Sequence, residues 1–282
     1  MIRGMYSAIS GLQTHQTMLD VVSNNLANVN TVGYKASRTT FKDQLQQTLY
    51  GGSAEGPNTG GTNAAQIGLG VQLGSIDSVM TDGSMAATGK WSDVAIQGDG
   101  YFRVGLGDPS TSPPTMPTDM NYTRAGNFIV NDQGYLTTPE GYYVMGRDNT
   151  TTPATDGYIQ LPTGYTAPAV GSDGTVSYLP AGGGTRTTAG TLSLAKFPND
   201  EGLVRMSGNR WASSPSAGTE AVGTPDGGKT FGSTIGGTLE MSNVDLATEF
   251  TNLIVAQRGF QANSKVITTA DDMLNDLVNL KR

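Results

Sequence analysis

A spacing of apolar residues that averages 3.5 positions, at both ends of the chain, most constrains how it can fold. In residues 1–30 the spaced apolar positions are Ile2, Met5, Ile9, Leu12, Leu19 and Leu26. In residues 243–282 they are Leu246, Phe250, Leu253, Phe260, Ile267, Leu274 and Val278. Steps of three and four in alternation place a narrow apolar stripe on one side of a helix, and a partner helix is needed to cover it.

Polar residues occupy the remaining positions of these two stripes, which we call the apolar seams. The first seam includes Gln16 and Ser23, and the second includes Gln257, Ser264 and Asp271. Polar seam residues lower stability but can fix the register and the choice of partner. The ends also differ in charge, with a net +3 over residues 1–42 and a net −2 over residues 239–282. We therefore expect the two helices to pair with each other or with helices of other copies.

Signals for helix ends flank both seams. Asparagine and glycine typically follow the last turn of a helix, and the first seam is followed by Asn24, Asn25, Asn28, Asn30 and Gly33. Residues with short polar side chains typically precede the first turn, and the second seam is preceded by Ser242, Asn243 and Asp245. These signals predict that the first helix ends near residue 30 and that the second begins near residue 243.

The middle of the chain has a different composition, and it predicts short β-strands. The sequence contains 39 glycines in 282 residues, about twice the usual share of ~7%. Residues 93–104 predict two strands around a Gly-Asp-Gly turn, and residues 127–136 and 170–176 predict hairpins. We expect an α+β fold with a terminal helical coiled-coil domain (1–33 and 241–282), an extended connector (34–75) and a β-rich outer domain (76–240).

Several classes of function are disfavoured by the residues themselves. The chain has no cysteine, one histidine and a net charge of −7, so thiolate sites are excluded and a nucleic-acid partner is not expected. His15 lacks a second histidine as a partner, and we expect it to be structural or solvent-facing. Aspartates beside glycines fit turns better than calcium loops. We predict no catalytic, cofactor or metal site and no enzyme activity.

No apolar run is long enough for a transmembrane helix, so membrane insertion is not expected. The first residues also lack the pattern of a cleaved secretory signal. On general grounds these two observations favour a cytoplasmic location, which the following resemblance changes.

Long motifs at both ends resemble those of flagellar hook and rod proteins, the axial proteins of the basal body. Residues 23–35 (SNNLANVNTVGYK) are similar to the N-terminal signature, and residues 239–246 and 257–265 are similar to the C-terminal one, which includes Arg258 and Asn263. Residues 95–102 and 122–128 resemble motifs of the family's β-rich domain. The beginning and end of the chain most resemble the short hook protein of Gram-positive bacteria.

The resemblance implies a fold, a location and a set of partners. Family members place their terminal helices in an inner coiled-coil layer around a channel, and subunits stack helically into a hollow tube. The implied partners are other copies of the chain, rod and hook–filament junction proteins, the hook cap and the flagellar type III export apparatus. Export would occur without a cleaved signal, to an extracellular flagellar structure. We expect a hook subunit, which couples the motor and rod to the filament, with a distal rod subunit as the alternative.

Two other classes of protein remain as alternatives at this point. A surface fibre or adhesin could carry terminal coiled coils, although one heptad region beside repeats would be more typical. A β-rich glycan hydrolase would need a pair of carboxylates in a cleft, and nothing in the sequence singles out such a pair.

Overall fold

The computed structural model describes residues 2–56, 60–109, 117, 119–148, 155–227 and 229–280. The chain divides into two compact units. The terminal unit comprises Met1–Ala27, Ser37–Val79 and Asp245–Arg282, and the β-rich unit comprises Asn28–Ala36 and Met80–Val244. The predicted α+β class is confirmed, since helices occupy both ends and strands occupy the middle.

Two long helices dominate the terminal unit. Helix α1 spans Ile2–Ala27 and helix α2 spans Leu246–Asn279, so they are about 39 and 51 Å long at ~1.5 Å per residue. Helix α1 ends within the predicted group of asparagines. Helix α2 begins after Asp245, whose side chain accepts a hydrogen bond from the backbone N–H of Ala247. Both helices therefore begin and end close to where their sequence signals predict.

The segment predicted as an extended connector instead forms two antiparallel strand pairs within the terminal unit. Strand β1 (Ser37–Asp43) pairs with β4 (Val71–Ser78), and β2 (Gln46–Tyr50) pairs with β3 (Ala65–Gly68). Threonine and aromatic residues near the start of this segment favour strands, and the glycines that suggested a connector lie mostly between the strands. All five residues of β2 are exposed, so backbone hydrogen bonding rather than side-chain burial holds this pair.

The remaining strands form the β-rich unit, together with a short 3₁₀ helix at Asp200–Gly202. In chain order they are β5 (Met85–Ala87), β6 (Val94–Gln97), β7 (Tyr101–Gly105), β8 (Met120–Thr123), β9 (Ile129–Val130), β10 (Leu136–Thr137), β11 (Tyr143–Asp148), β12 (Thr155–Tyr158), β13 (Thr166–Val170), β14 (Thr175–Leu179), β15 (Thr187–Leu192), β16 (Leu194–Lys196), β17 (Val204–Arg205), β18 (Arg210–Ala212), β19 (Ala221–Gly223), β20 (Ser233–Gly236) and β21 (Thr238–Glu240).

One large antiparallel sheet runs through this unit in the order β13-β14-β15-β11-β7-β8-β18-β17. Strands β10 and β12 also pair with β11, β9 pairs with β10, and β16 joins β7 to β19. Two further pairs, β6–β20 and β5–β21, bring strands from late in the sequence beside strands from the beginning of the unit.

The central strand β7 contributes to a core on each of its faces. Phe102 and Val104 lie in one buried cluster, where Phe102 packs edge-on against Phe128 with ring centres 5.0 Å apart. Tyr101 lies in a second cluster with Phe197 and Trp211. Because successive side chains of a strand point to opposite faces, one short strand can supply both clusters. All five residues of β7 are buried.

Both hairpins predicted in the middle of the chain, at residues 127–136 and 170–176, are confirmed. The two strands predicted within residues 93–104 also form, but they pair with other strands and not with each other. Strands β9 and β10 pair across a turn in which the side chain of Asn131 accepts from the N–H of Gln133 and Tyr135. Strands β13 and β14 pair in the same way. Strands β6 and β7 form, but β6 pairs with β20 and β7 with β8, β11 and β16. The intervening Gly98 and Gly100 adopt positive φ angles that redirect the chain.

Candidate assembly surface

Helices α1 and α2 lie antiparallel against each other. The side chain of Asn25, near the end of α1, donates to Glu249 at the start of α2, with 3.1 Å between Nδ2 and Oε1. Further along, Gly11 of α1 lies against the side chain of Asn263. As the α1 contacts move towards its N-terminus, their partners move towards the C-terminus of α2, which defines the direction of the pair.

Two glycines interlock the helices by a reciprocal contact. A Cβ atom added at Gly11 would lie 2.7 Å from Nδ2 of Asn263, and one added at Gly259 would collide with the ring of His15. On α1, His15 follows Gly11 by four residues, and on α2, Asn263 follows Gly259 by four residues. This spacing places the glycine and the side chain of each helix on the same face. The predicted structural role of His15 therefore fits its position at this contact.

Small and polar residues form the face that α1 and α2 share. The buried residues of α1 are Ala8, Gly11, Thr14, Val22 and Asn25, and those of α2 are Ala256 and Ala270. Most of them precede a position of the apolar seams by one residue. The residues that make the contact between the two helices therefore lie mostly one position before the residues of the apolar seams. Small residues occupy the contact because they allow the two backbones to approach closely.

The large apolar residues of the seams border this face or point into solvent. Those that are half-buried are Met5, Leu12, Leu19, Leu26, Leu253, Ile267 and Leu274. Those that are exposed are Ile2, Ile9, Leu246, Phe250, Phe260 and Val278. Additional exposed apolar residues that the seams did not include are Tyr6, Ile254, Val255, Val266, Met273, Leu277 and Leu280. Large apolar side chains that stay exposed in such numbers on a folded chain mark an interaction site.

A polar cluster lies where the C-terminal end of α1 meets the N-terminal end of α2. Asn25 accepts from the backbone N–H of Ser37 at 2.9 Å and donates to the carbonyl of the same residue at 2.8 Å. Burial raises the pKa of Glu249, and hydrogen bonds from Asn25 and Asn252 oppose that rise in part. Within the described residues Oε2 of Glu249 is buried without a hydrogen-bond partner. Asn25, predicted as a helix-stop residue, therefore also orients the start of α2 and β1.

The motif residues that lie in the β-rich unit surround a buried ion pair. Nζ of Lys35 lies 2.6 Å from Oε1 of Glu240, and both side chains are at most 1% exposed. Nη1 of Arg124 lies 3.4 Å from the other carboxylate oxygen of Glu240 and 3.3 Å from Asp82. Burial lowers the pKa of Lys35, and the attraction of Glu240 opposes that shift. The conformation of Gly33, with φ of +66°, lets its N–H donate to the carbonyl of Glu240 at 2.8 Å.

Asn28, Asn243 and Ser242 also act within the β-rich unit. The side chain of Asn28 accepts from Thr31, and that of Asn243 accepts from the N–H of Ala36. The hydroxyl of Ser242 accepts from the N–H of Val244. These contacts fix the two segments that lead into and out of the unit. Sequence patterns indicated these residues as helix-end signals. The contact between Asn243 and Ala36, which are 207 residues apart in the sequence, was not predictable from spacing.

The remaining motif residues lie on exposed surface. Asn24 and Asn30 are exposed at the end of α1 and beyond it, and Gln257 and Arg258 are exposed on α2. Arg258 donates to Gln261 one turn later at 3.2 Å. None of the helices in the described part of the chain combines the length and apolar character needed to cross a membrane.

Three family profiles match the chain in sequence order. The profile described as "Flagella basal body rod protein" matches residues 5–35. The profile described as "Flagellar hook protein FlgE/F/G D1 domain" matches residues 95–178, and "Flagellar basal body rod FlgEFG protein C-terminal" matches residues 235–280. Both terminal helices and much of the β-rich unit are therefore matched.

Relatives align over the whole chain. The flagellar basal-body rod protein FlgG of Bacillus subtilis is 46% identical over 282 residues, which is 100% of each chain. The chain belongs to the flagellar rod and hook protein family. FlgG of Agrobacterium fabrum is 38% identical over 274 residues, covering 96% of this chain and 97% of its own. The flagellar hook protein FlgE of Borreliella burgdorferi is 26% identical over 442 residues, covering 100% of both chains.

These relatives change the balance between the two flagellar interpretations. Sequence motifs favoured a hook subunit, with a distal rod subunit as the alternative. The relatives named as rod proteins are more similar to the chain than the one named as a hook protein. The alternative therefore fits the comparisons better than the hook interpretation. Motif residues shared by rod and hook proteins could not separate the two.

Proposed function

We propose that this chain is a distal rod subunit of the bacterial flagellum, a structural protein that assembles helically into a straight hollow tube. The full-length match to FlgG of Bacillus subtilis, at 46% identity, carries this proposal. The exposed apolar residues of α1 and α2 support it, because they offer a surface that further copies can cover. The names of the relatives also favour a structural role in the flagellum over a fibre protein or a glycan hydrolase.

The seam residues and the inner coiled-coil layer belong to the same proposal. In the tube, the terminal helices of neighbouring copies bury Phe250, Phe260 and the other exposed seam residues. The type III apparatus exports the chain, and rod proteins contact it at the ends of the tube. The hook cap and the hook–filament junction proteins are partners only in the hook alternative.

Complementation separates the two flagellar functions. We expect expression of this chain to restore motility to a Bacillus subtilis strain that lacks its flagellar basal-body rod protein FlgG, and not to a strain that lacks its hook protein. In electron micrographs, tubes formed by the purified chain should be straight. Curved tubes, or rescue of the hook strain alone, would favour the hook alternative.

Two seam variants and one control variant test the role of the helices. Leu253→Asp or Phe260→Asp should prevent tube formation and leave the β-rich unit folded, because a carboxylate cannot be buried between helices without a partner. Thr251→Asp, at an exposed position of the same helix, should form tubes at nearly the wild-type level. Normal tubes from both of the first two variants would argue against burial of the seam.

A further inference from the structure

Helix α2 carries two apolar patches that α1 does not cover. The N-terminal patch consists of Leu246, Phe250 and Ile254, which are 44%, 50% and 56% exposed. The C-terminal patch consists of Val266, Met273 and Leu277, which are 45%, 49% and 52% exposed. Six large apolar side chains that remain half exposed on one helix indicate a contact with another molecule.

The two patches lie on opposite flanks of the helix. The face that meets α1 carries Ala256 and Ala270. At about 100° per residue, the N-terminal patch is centred on one side of that face and the C-terminal patch on the other, roughly 160° away around the helix. The patches also occupy opposite halves of the helix length, so one patch follows the other both around and along α2.

This arrangement determines which symmetry can pair them. Two copies related by a two-fold axis bring the same patch of each copy together. Patches on opposite flanks instead meet when a second copy is shifted sideways and along the helix axis, so that the two helices remain parallel. Such a contact leaves one free patch at each end and can therefore continue as an open filament.

The spacing of the patches gives the axial displacement. Phe250 and Ile254 are each 23 residues from their counterparts Met273 and Leu277, and Leu246 is 20 residues from Val266. A displacement of about 20–23 residues, or about 30–35 Å at ~1.5 Å per residue, therefore brings the two patches to the same level.

Charged residues beside the patches agree with that displacement. Arg258 lies next to the N-terminal patch and Asp276 next to the C-terminal patch, and both are exposed. They are 18 residues apart in the sequence, so after the displacement they lie within about 3–8 Å of the same level on neighbouring copies. Within one copy they are about 27 Å apart along the helix and cannot pair.

We propose that the C-terminal patch of α2 in one copy packs against the N-terminal patch of α2 in a second, parallel copy, displaced by about 30–35 Å along the helix. The contact has an apolar centre and an Arg258–Asp276 pair at its outer edge. This inference rests on the proposed self-assembly and adds which surfaces meet and in what register.

Cysteine cross-linking tests the register directly, because the natural chain contains no cysteine. The variant Ile254→Cys/Leu277→Cys places one thiol in each patch. Within one copy the two positions are about 34 Å apart along the helix, far beyond the ~7 Å that a disulfide can span between Cα atoms. Oxidised polymers should therefore give a ladder of covalent multimers that extends beyond the dimer on a denaturing gel.

The control moves one thiol by a single residue to the other flank. Val255 is 54% exposed, against 56% for Ile254, so the variant Val255→Cys/Leu277→Cys presents thiols of matched accessibility. Both of its thiols lie on the same flank, and no ladder beyond the dimer is expected. Equal ladders from both double variants, or no ladder from polymer of the first, would overturn the proposed contact.

A charge exchange provides an independent measurement. Arg258→Glu and Asp276→Lys should each raise the concentration needed for polymerisation about two- to five-fold, the range expected for an exposed ion pair. The double exchange should return it to within about two-fold of the wild-type value. A double variant that polymerises worse than either single variant would contradict the pairing. Wild-type chain that never sediments as polymer would instead count against the proposed function.

Discussion

At the scale of single residues, the contact between the terminal helices depends on groups that a hydrophobicity pattern ignores. Gly11 and Gly259 provide space, and Asn263 and His15 fill it. Asn25 and Glu249 add a hydrogen bond near the other end of α1. Directional contacts of this kind fix the relative position of two helices more strictly than large flexible apolar side chains do.

The pKa of Glu249 gives this contact a dependence on pH. Because burial raises this pKa, the folded chain binds more protons than the unfolded chain at pH values just above 4.5, the ordinary value. The contribution of Glu249 to stability is therefore fully present below that value and is lost as the pH rises through the folded-state pKa. Glu249→Gln should remove this loss and keep the bond to Asn25.

Thermal loss of helical circular dichroism in the assembled polymer, followed at about pH 5 and about pH 7.5, measures the effect. The wild type should lose more stability than Glu249→Gln between these two values. Asp245 has a lowered pKa, because Thr248 and Ala247 donate to it. Its contribution to stability is therefore lost only as the pH falls below the ordinary value of 3.8 and stays constant between these two pH values in both proteins. An equal pH dependence in the two proteins would show that Glu249 does not contribute.

The buried ion pair of the β-rich unit should tolerate the loss of its carboxylate poorly. Glu240→Gln leaves Lys35 buried without a carboxylate partner and leaves Arg124 with Asp82 alone, and we expect it to lower the free energy of unfolding by about 3–5 kcal/mol. Urea unfolding followed by tryptophan fluorescence measures this, since Trp91 and Trp211 both lie in this unit.

The control for that substitution is Asp82→Asn. The Asp82 carboxylate is 43% exposed, and its removal should cost less than about 1 kcal/mol. A small effect of Glu240→Gln, similar to that of Asp82→Asn, would indicate that the buried cations find other compensation.

At the scale of elements, the sequence was informative where one local signal decides the structure. Helix α2 begins beside Asp245, one of the three predicted capping residues, and hairpin β9–β10 forms within the hairpin predicted over residues 127–136. The seams identified the helices but not the face they share, because that face is lined by Ala256 and similar small residues. Strands β1 and β4 were missed because their paired residues are 28 to 41 positions apart in the sequence and none of the side chains of these two strands is fully buried.

The cap of α2 offers a test of local helix stability. Asp245→Ala removes the acceptor for Ala247 and Thr248 and should destabilise the start of α2 by about 1 kcal/mol. Asp245→Asn keeps a capping oxygen and should cost only a few tenths of that amount. The thermal dissociation temperature of the polymer compares the three proteins. An asparagine variant as unstable as the alanine variant would show that charge, rather than capping, matters.

At the scale of the whole molecule, the two units differ in how much apolar surface they bury. The β-rich unit has two clusters of buried large residues, centred on Phe102 and Tyr101. In contrast, the buried residues of α2 are Ala256 and Ala270. The composition of the middle segment predicted its strands, but not that β6 would pair with β20, because pairing between distant segments depends on tertiary packing rather than local preference.

This difference predicts that the terminal helices gain most of their stability on assembly. In the soluble subunit, hydrogen exchange should protect the β-rich unit and leave α1 and α2 largely unprotected, because helices with few buried residues are marginal alone. In the polymer both helices should become protected. Full protection of the helices in a monomer would contradict this prediction.

The hydrogen bond between Gly33 and Glu240 bears on how chains of this kind can change in length. The N–H of Gly33 lies 2.8 Å from the carbonyl of Glu240, so the chain enters and leaves the β-rich unit at almost the same point. Because the two ends of this segment are adjacent, residues can be inserted between them without displacing the parts of the chain outside it. The alignment with the hook protein of Borreliella burgdorferi spans 442 positions, against 282 residues in this chain, so that protein carries inserted residues relative to this chain. Insertions between Gly33 and Glu240 can thus enlarge the β-rich unit and leave the two terminal helices unchanged.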